Sequence, residues 1–472
     1  MHSLQNLIKR ILALLKRNEH FVSHLRGDLK NNGCAARIMF ERARGTRDFG
    51  PAEMGRRLAF EKMCEKVASC YGFQRVSTPT FERLELFTAK SGAGIIDQLY
   101  AFKDRSDRDL TLRPELTAPV MRMIAEQKGQ IPKPARYSYF GPCFRYEESK
   151  RGRYREFWQY GCEVIGAPSP LTEAEVVAFA CALMAETGLE GWQLNIGHVG
   201  ILNEILANIG LEGDSIGEAM RLLDKGDFTG LEASGIKSTA VNSLQALAKL
   251  NGGIETLASA REIITGMGVE SGALDQLEEM LNNLTSLGIN PPSLIVDLTV
   301  ARGLDYYTGM VFEIMVDELG GEGQVCGGGS YKLFHLFGLD DLDPCCGFGL
   351  GFDRVLLALE AQAEKTGRSE VFPGENSAAS TLAVIPFKAD VSQVLPIVSE
   401  LRANGQPVLL ELRQRNIGKS MAWANNTGAG FAMVVGPRDL DTGQITIKRL
   451  SDGAEANCEM NAGAIIQTLS SL

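Results

Sequence analysis

Residues 144–163 read FRYEESKRGRYREFWQYGCE. Both ends of this stretch alternate in the manner of strands, and its Glu-Ser-Lys-Arg-Gly-Arg middle has the composition of a polar loop between them. The pattern predicts a β-hairpin. Arg145, Arg153 and Arg155 carry guanidinium forks that match phosphate or carboxylate oxygens two at a time, while Glu147, Gln159 and Glu163 carry acceptors able to hold amines. Taken alone, such a charge run reads more readily as a solvated surface hairpin.

A second stretch changes that balance. Residues 302–313 read RGLDYYTGMVFE, a charged opening followed by an apolar strand pattern. The hairpin resembles motif 2 of class II aminoacyl-tRNA synthetases, and its wording, Arg-Tyr-Arg, then Phe, then Gln-x-x-x-Glu, is similar to that of histidyl-tRNA synthetases. RGLDYYTGMVFE resembles the histidine-specific signature of the same family. Gly347 to Ala358, GFGLGFDRVLLA, resembles motif 3, and Gly45-Thr-Arg-Asp-Phe through Glu82 resembles the opening of the family and its motif 1.

That resemblance implies an α+β catalytic core built on an antiparallel sheet, the class II fold, with a helical insertion and a C-terminal α/β anticodon-binding domain. It implies a ligase that joins L-histidine to ATP as histidyl-adenylate and passes histidine to the 3′ end of tRNA(His). By resemblance, Arg145 holds the α-phosphate, Arg354 the γ-phosphate, Glu147 the adenine amino group and Phe157 the adenine face, and Arg153 also matches an ATP contact. Arg302 would stand opposite Arg145 at the α-phosphate, and Mg²⁺ would accompany ATP across its β- and γ-phosphates. For histidine, Glu163 and Tyr307 match the imidazole contacts, with Tyr306 lining the same pocket, and Glu115, Thr117 and Gln159 match the ammonium side. Lys150 and Arg151, in the hairpin loop, are candidates for tRNA phosphates. A homodimer through motif 1 is expected, Pro79 matching that motif's proline.

Departures from the commoner bacterial pattern occur at Gly329-Ser330-Tyr331-Lys332, where those relatives have Gly-Arg-Tyr-Asp, and at Tyr146 and Trp158, where they often have His. These substitutions resemble the archaeal-type branch, and they leave the contacts of Ser330 and Lys332 unassigned. The regulatory subunit of ATP phosphoribosyltransferase shares the catalytic fold, but it typically lacks a C-terminal domain and loses signature residues. A pseudo-synthetase fused to a kinase would carry a Gly-rich kinase loop, and none is present.

At 472 residues, 44% hydrophobic and 22% charged, the chain has room for two or three folded domains. A net charge of −10 argues against nonspecific polyanion binding but leaves room for a local basic face. No apolar run reaches membrane-spanning length. Ten scattered cysteines without Cys-x-x-Cys spacing fit a reducing cytoplasm. Of five histidines only His20 and His24 share helical i,i+4 spacing, too little for a metal site.

Residues 1–38 form a basic amphipathic extension, with seven Lys/Arg against two Asp/Glu. A non-native or disordered leader, a tRNA-contacting arm and a targeting peptide are the three readings of it. The catalytic domain is expected over 39–375, with the helical insertion over 205–290 inside it, and the anticodon-binding domain over 376–472. Within the core the patterning predicts a strand at Val76–Glu82, Thr111-Leu-Arg-Pro-Glu-Leu-Thr117 leading into a helix, and a turn at Gly327–Gly329.

Overall fold

The computed structural model describes residues 41–91, 93–127, 129–148, 152–250, 252–299, 307–373 and 381–472. The N-terminal extension, Lys150, Arg151, Arg302 and Tyr306 lie outside the described residues. No helix among those described is long and apolar enough to cross a membrane. The chain divides into two compact units, one of residues 66–182 and 190–358 with the described chain up to Met54, the other of residues 55–65, 183–189 and 359–472.

In chain order the elements begin with α1 (Pro51–Cys70), β1 (Gln74–Arg75), β2 (Phe81–Arg83), α2 (Leu84–Ser91), β3 (Ala101–Lys103), β4 (Asp109–Leu112) and α3 (Thr117–Glu126). Pro51 opens α1, where a missing N–H costs nothing, and Gly72, at φ +73°, turns the chain after it. Next come the hairpin strands β5 (Ala135–Phe144) and β6 (Glu156–Ile165), helix α4 (Pro170–Thr187) and β7 (Gln193–His198). Helix α4 is apolar on nearly every side, which suits burial. Its Val176, Val177 and Phe179 are fully covered, and the Phe179 ring stacks 4.7 Å from Phe73.

Six helices follow: α5 (Val199–Asn208), α6 (Asp214–Asp224), α7 (Phe228–Ala233), α8 (Ser238–Ala248), α9 (Thr256–Gly266) and α10 (Gly272–Ser286). Helix α5 starts directly out of β7, where the buried His198 ring accepts the Gly200 N–H at 3.1 Å and caps it. No turn residues separate strand from helix there. The expected start of the insertion, residue 205, therefore falls inside a helix whose Ile201, Leu202 and Ile205 are already buried.

Strands β8 (Ser293–Val296), β9 (Tyr307–Met315), β10 (Gln324–Tyr331) and β11 (Cys345–Gly351) complete an eight-stranded sheet in the order β1-β5-β6-β11-β10-β9-β7-β8. Pairing is antiparallel from β5 through to β7 and parallel at both edges. The core is of the expected α+β class, and its sheet is mixed, antiparallel across the centre with parallel pairs at the edges.

Two local expectations fail, each for a physical reason. The segment from Val76 to Glu82 is not one strand, because Pro79 has no N–H to donate and the Thr78 and Pro79 carbonyls turn to the buried guanidinium of Arg113, at 2.7 and 3.2 Å. The chain pairs on either side of that point instead, as β1 in the large sheet and as β2 in a small β2-β4-β3 sheet. Gly327–Gly329 is not a turn but the middle of β10. A Cβ at Gly328 would lie 2.2 Å from the Gly347 carbonyl on β11, so the glycines serve close strand approach rather than chain reversal.

Helix α11 (Phe352–Thr366) leads to the remaining elements: β12 (Leu382–Pro386), α12 (Val391–Ala403), β13 (Val408–Leu410), α13 (Ile417–Asn426), β14 (Phe431–Val435), α14 (Pro437–Thr442), β15 (Gln444–Arg449), β16 (Glu455–Glu459) and α15 (Ala462–Ser471). Their sheet runs β13-β12-β14-β15-β16, parallel over the first three strands and antiparallel beyond. Leu382, Val384, Val398, Leu401, Met433 and Ile465 form its core.

Candidate active site

A cleft of about 630 Å³ opens on the large sheet, between the hairpin, the start of α3 and the β11–α11 junction. It is lined by Glu115 and Thr117 from the α3 end, by Arg145, Glu147, Arg153, Phe157, Gln159 and Glu163 from the hairpin, and by Tyr307 and Arg354. Every described residue singled out in the sequence for ATP or histidine therefore faces one cavity. Strand geometry accounts for this, because Phe157, Gln159, Gly161 and Glu163 alternate onto one face of β6. Opposite them β11 presents Gly351, Gly349 and Gly347 in register with Gln159, Gly161 and Glu163. A Cβ at Gly347 would lie 1.9 Å from a Glu163 carboxylate oxygen, so this glycine leaves the room that the Glu163 side chain takes at the cleft.

Glu163 is 1% exposed and forms the floor of the polar end. One of its oxygens accepts the Tyr139 hydroxyl at 2.8 Å, and the other accepts the Tyr331 hydroxyl. Thr117 Oγ1 lies 3.2 Å from the Tyr139 hydroxyl and extends the chain of hydrogen bonds. Burial pushes the Glu163 carboxyl up to about 7, against the opposing pull of the hydroxyls around it. The Tyr139 and Tyr331 hydroxyls are themselves raised, first by burial and then by the adjacent carboxylate, so both remain donors. Glu115 stands at the α3 N-terminus and accepts the Thr117 N–H at 2.5 Å and the Ala118 N–H at 3.2 Å, a favourable place for negative charge.

At the other end Arg145 donates its Nε–H to the Pro114 carbonyl at 3.0 Å, and its guanidinium carbon lies 5.2 Å from the centre of the Phe157 ring. Arg153 pairs with the Glu147 carboxylate at 3.3 Å, and Arg155 donates to the Glu147 carbonyl at 3.1 Å. Arg354 projects from the first turn of α11, its Nε–H on the Gly152 carbonyl at 3.2 Å and an Nη1–H on the Gln324 carbonyl at 2.8 Å. Two carbonyl anchors fix the plane of that guanidinium. The arrangement offers fixed cationic forks at one end and a buried carboxylate ringed by hydroxyls at the other, suited to a polyphosphate and a cationic or N–H-donating group respectively.

Tyr139 and Tyr331 escaped the sequence reading. Their signal was the alternation of β5 and β10 combined with partners in distant strands: Gly161 stands opposite Tyr139 and Tyr307 opposite Tyr331. Ser330 turns to Glu173 of α4, donating to it at 2.5 Å; burial raises the Glu173 carboxyl, and that hydrogen bond opposes the rise. Tyr146 lies edge-on to Tyr100 at 5.5 Å and beneath Arg155 at 4.1 Å, while Trp158 packs on Phe140 at 5.0 Å.

Comparison with known proteins gives these contacts a family. A family model described as histidyl-tRNA synthetase matches residues 45–355, and one described as anticodon binding domain matches residues 381–472. The histidine–tRNA ligase of Archaeoglobus fulgidus is 44% identical over 418 residues, covering 88% of this chain and 96% of that one. That of Methanoregula boonei is 40% identical over 420 residues, with the same coverage of both chains. Among solved structures, the histidyl-tRNA synthetase of Nostoc sp. PCC 7120 superposes with a TM-score of 0.76 at 21% identity, over 92% of this chain and 99% of that one, which is a likeness of fold. On the span of the family model and the identity to near-full-length relatives, the chain belongs to the histidyl-tRNA synthetase family.

Proposed function

We propose that the cleft carries out histidine activation for tRNA charging. The histidine carboxylate attacks the α-phosphate of ATP, forming histidyl-adenylate and expelling pyrophosphate, and the histidyl group then passes to the 3′ end of tRNA(His). Little proton transfer is required of the protein, so positioning and charge stabilisation supply most of the rate. Arg145 takes the α-phosphate, Arg354 the γ-phosphate, Phe157 the adenine face and Glu147 the adenine amino group, with Arg153 also in contact with ATP. Glu163 and Tyr307 take the imidazole, and Glu115, Thr117 and Gln159 the α-ammonium group. Arg302, Tyr306, Lys150 and Arg151 keep the roles their resemblance implies, at the α-phosphate, in the imidazole pocket and at tRNA phosphates.

What carries this reading is Glu163: a carboxylate buried at the floor of the cleft, with two tyrosine hydroxyls on it and lone pairs left for an imidazole N–H. Such a site rejects analogues that lack the nitrogen, because they leave buried polar groups unpaired. Mg²⁺ fits the same cleft. It takes oxygen ligands and keeps several waters, and the carboxylate of Glu313 on the cleft wall is a ligand of that kind beside the phosphates of ATP. When bound, it would neutralise charge on the departing pyrophosphate.

The catalytic domain is taken as 39–375 with its insertion at 205–290, and the anticodon-binding domain as 376–472. Homodimerisation through motif 1 is supported by exposed Phe81 and Phe102 on the small sheet. A reducing cytoplasm is supported by the free thiols of the described cysteines. Exchange of labelled pyrophosphate into ATP tests the central claim: it should depend on histidine and on no other amino acid, and its absence from folded protein would overturn the proposal.

A further inference from the structure

Asp353 lies in the first turn of helix α11, one residue before Arg354, and its side chain is 4% exposed. One carboxylate oxygen accepts the backbone N–H of Trp158 on β6 at 2.7 Å, and the other accepts an Nη2–H of Arg47 at 2.6 Å. The Arg47 guanidinium carbon lies 3.6 Å from the centre of the Tyr154 ring and 5.0 Å from that of Phe49, while its Nε is buried with no hydrogen-bond partner. An orphaned buried N–H is unfavourable, so the side chain is held in place by the charge pair and the ring faces, not by a full set of hydrogen bonds.

The segment before Arg47 is fastened to the same part of the hairpin. The Gly45 carbonyl accepts the Arg155 N–H at 2.9 Å, and Gly45, at φ +84°, runs so close that a Cβ there would lie 2.6 Å from Arg155 Cγ. Tyr154, Trp158, Asp353 and Arg354 all line the cleft, whereas Arg47 stands behind them.

We propose that Arg47 is a positioning residue for the nucleotide half of the cleft: by pinning Asp353 and Tyr154 together, it fixes the spacing between the helix that carries Arg354 and the strand that carries Phe157. Arg354 and Phe157 hold opposite ends of ATP in the reading above, on which this inference rests. Without Arg47 the covered Asp353 carboxylate loses an ion-pair partner at 2.6 Å, and the start of α11 relaxes towards water. Displacements on the order of 1 Å at such a point cost about 10²-fold in rate without touching the reacting atoms.

Histidine-dependent pyrophosphate exchange by the full chain, with each substrate varied in turn, tests this. Arg47→Ala should lower kcat/KM for ATP by about 10- to 100-fold while leaving the KM for histidine within about twofold. Arg47→Lys keeps the charge but loses the flat contact on Tyr154, and should recover part of the loss. The double variant Arg47→Ala with Asp353→Asn should cost no more than the worse single change, because the two residues act through one contact. Equal rises in the KM for ATP and the KM for histidine, unchanged ATP kinetics or an additive double variant would each overturn the inference. Should the alanine variant fail to fold, the lysine variant decides by the same ATP-against-histidine split. Failure of the wild type to exchange at all would instead bring down the reading of the cleft.

Discussion

Glu163→Gln separates the cost of burying a carboxylate from its use. The amide keeps the shape of the side chain but cannot act as an anionic acceptor for an imidazole N–H. A hydrogen bond to a charged group contributes about 1.5–3 kcal/mol, so the KM for histidine should rise roughly 10- to 150-fold while that for ATP stays within about twofold. Stability should move the other way as pH rises. Burial holds the Glu163 carboxyl at about 7, above an ordinary value near 4.5, so the folded chain keeps this proton longer than the unfolded chain does. Its stabilising contribution is complete below pH of about 4.5 and is lost as pH rises through about 7, some 3 kcal/mol in all. Glutamine does not titrate. Between pH 5 and 8 the variant should therefore gain on the wild type by about 2.5 kcal/mol, whatever the fixed cost of disturbing Tyr139 and Tyr331. Urea melts of both proteins at the two pH values, beside exchange kinetics, measure both effects. A histidine KM left unchanged while that for ATP rises, or a stability difference flat with pH, would refute the placement of this carboxylate.

Arg302→Ala should lower kcat for adenylation by at least about 10²-fold with histidine binding much less changed, and near-normal pyrophosphate exchange would contradict its assignment to the α-phosphate. Removing residues 376–472 should leave pyrophosphate exchange measurable but cripple tRNA charging; undiminished charging would show that the C-terminal domain is dispensable. Neutralising Lys150 and Arg151 together should reduce the salt slope of tRNA binding by up to about two units, and an unchanged slope would move the basic footprint elsewhere. Burial pushes the His198 imidazole down to about 4, so its support for the fold is complete above pH of about 6.5 and drains away as pH falls through 4. His198→Asn keeps an acceptor for the cap and should abolish this acid-side loss of about 1.4 kcal/mol per pH unit; acid melts of the two proteins that run parallel would count against it.

What could be read from the sequence was whatever depends on neighbours along the chain. The hairpin announced itself through alternation at Phe144–Glu163, and α11 through the apolar run after Arg354. What could not be read depends on partners brought in from elsewhere. Gly327–Gly329 reads locally as a turn, and only the strands on either side of β10 show why side chains are excluded there. Val76–Glu82 reads as a strand until Arg113 claims the carbonyls around Pro79. Tyr139 and Tyr331 are ordinary strand tyrosines until register sets both hydroxyls on Glu163. Strand β16 alternates between exposed and half-buried positions, so no apolar face marks it.

The pairing of β6 with β11 has a kinetic consequence. The bond from the Trp158 N–H to Asp353 joins residues 195 positions apart, and β6 meets β11 only after the intervening chain has found its place. Contacts between such distant residues form late, since loop-closure entropy must be overcome before they contribute. Enzymatic activity is thus a clock for the last step of assembly: on refolding from denaturant, helical signal should return well before pyrophosphate exchange does.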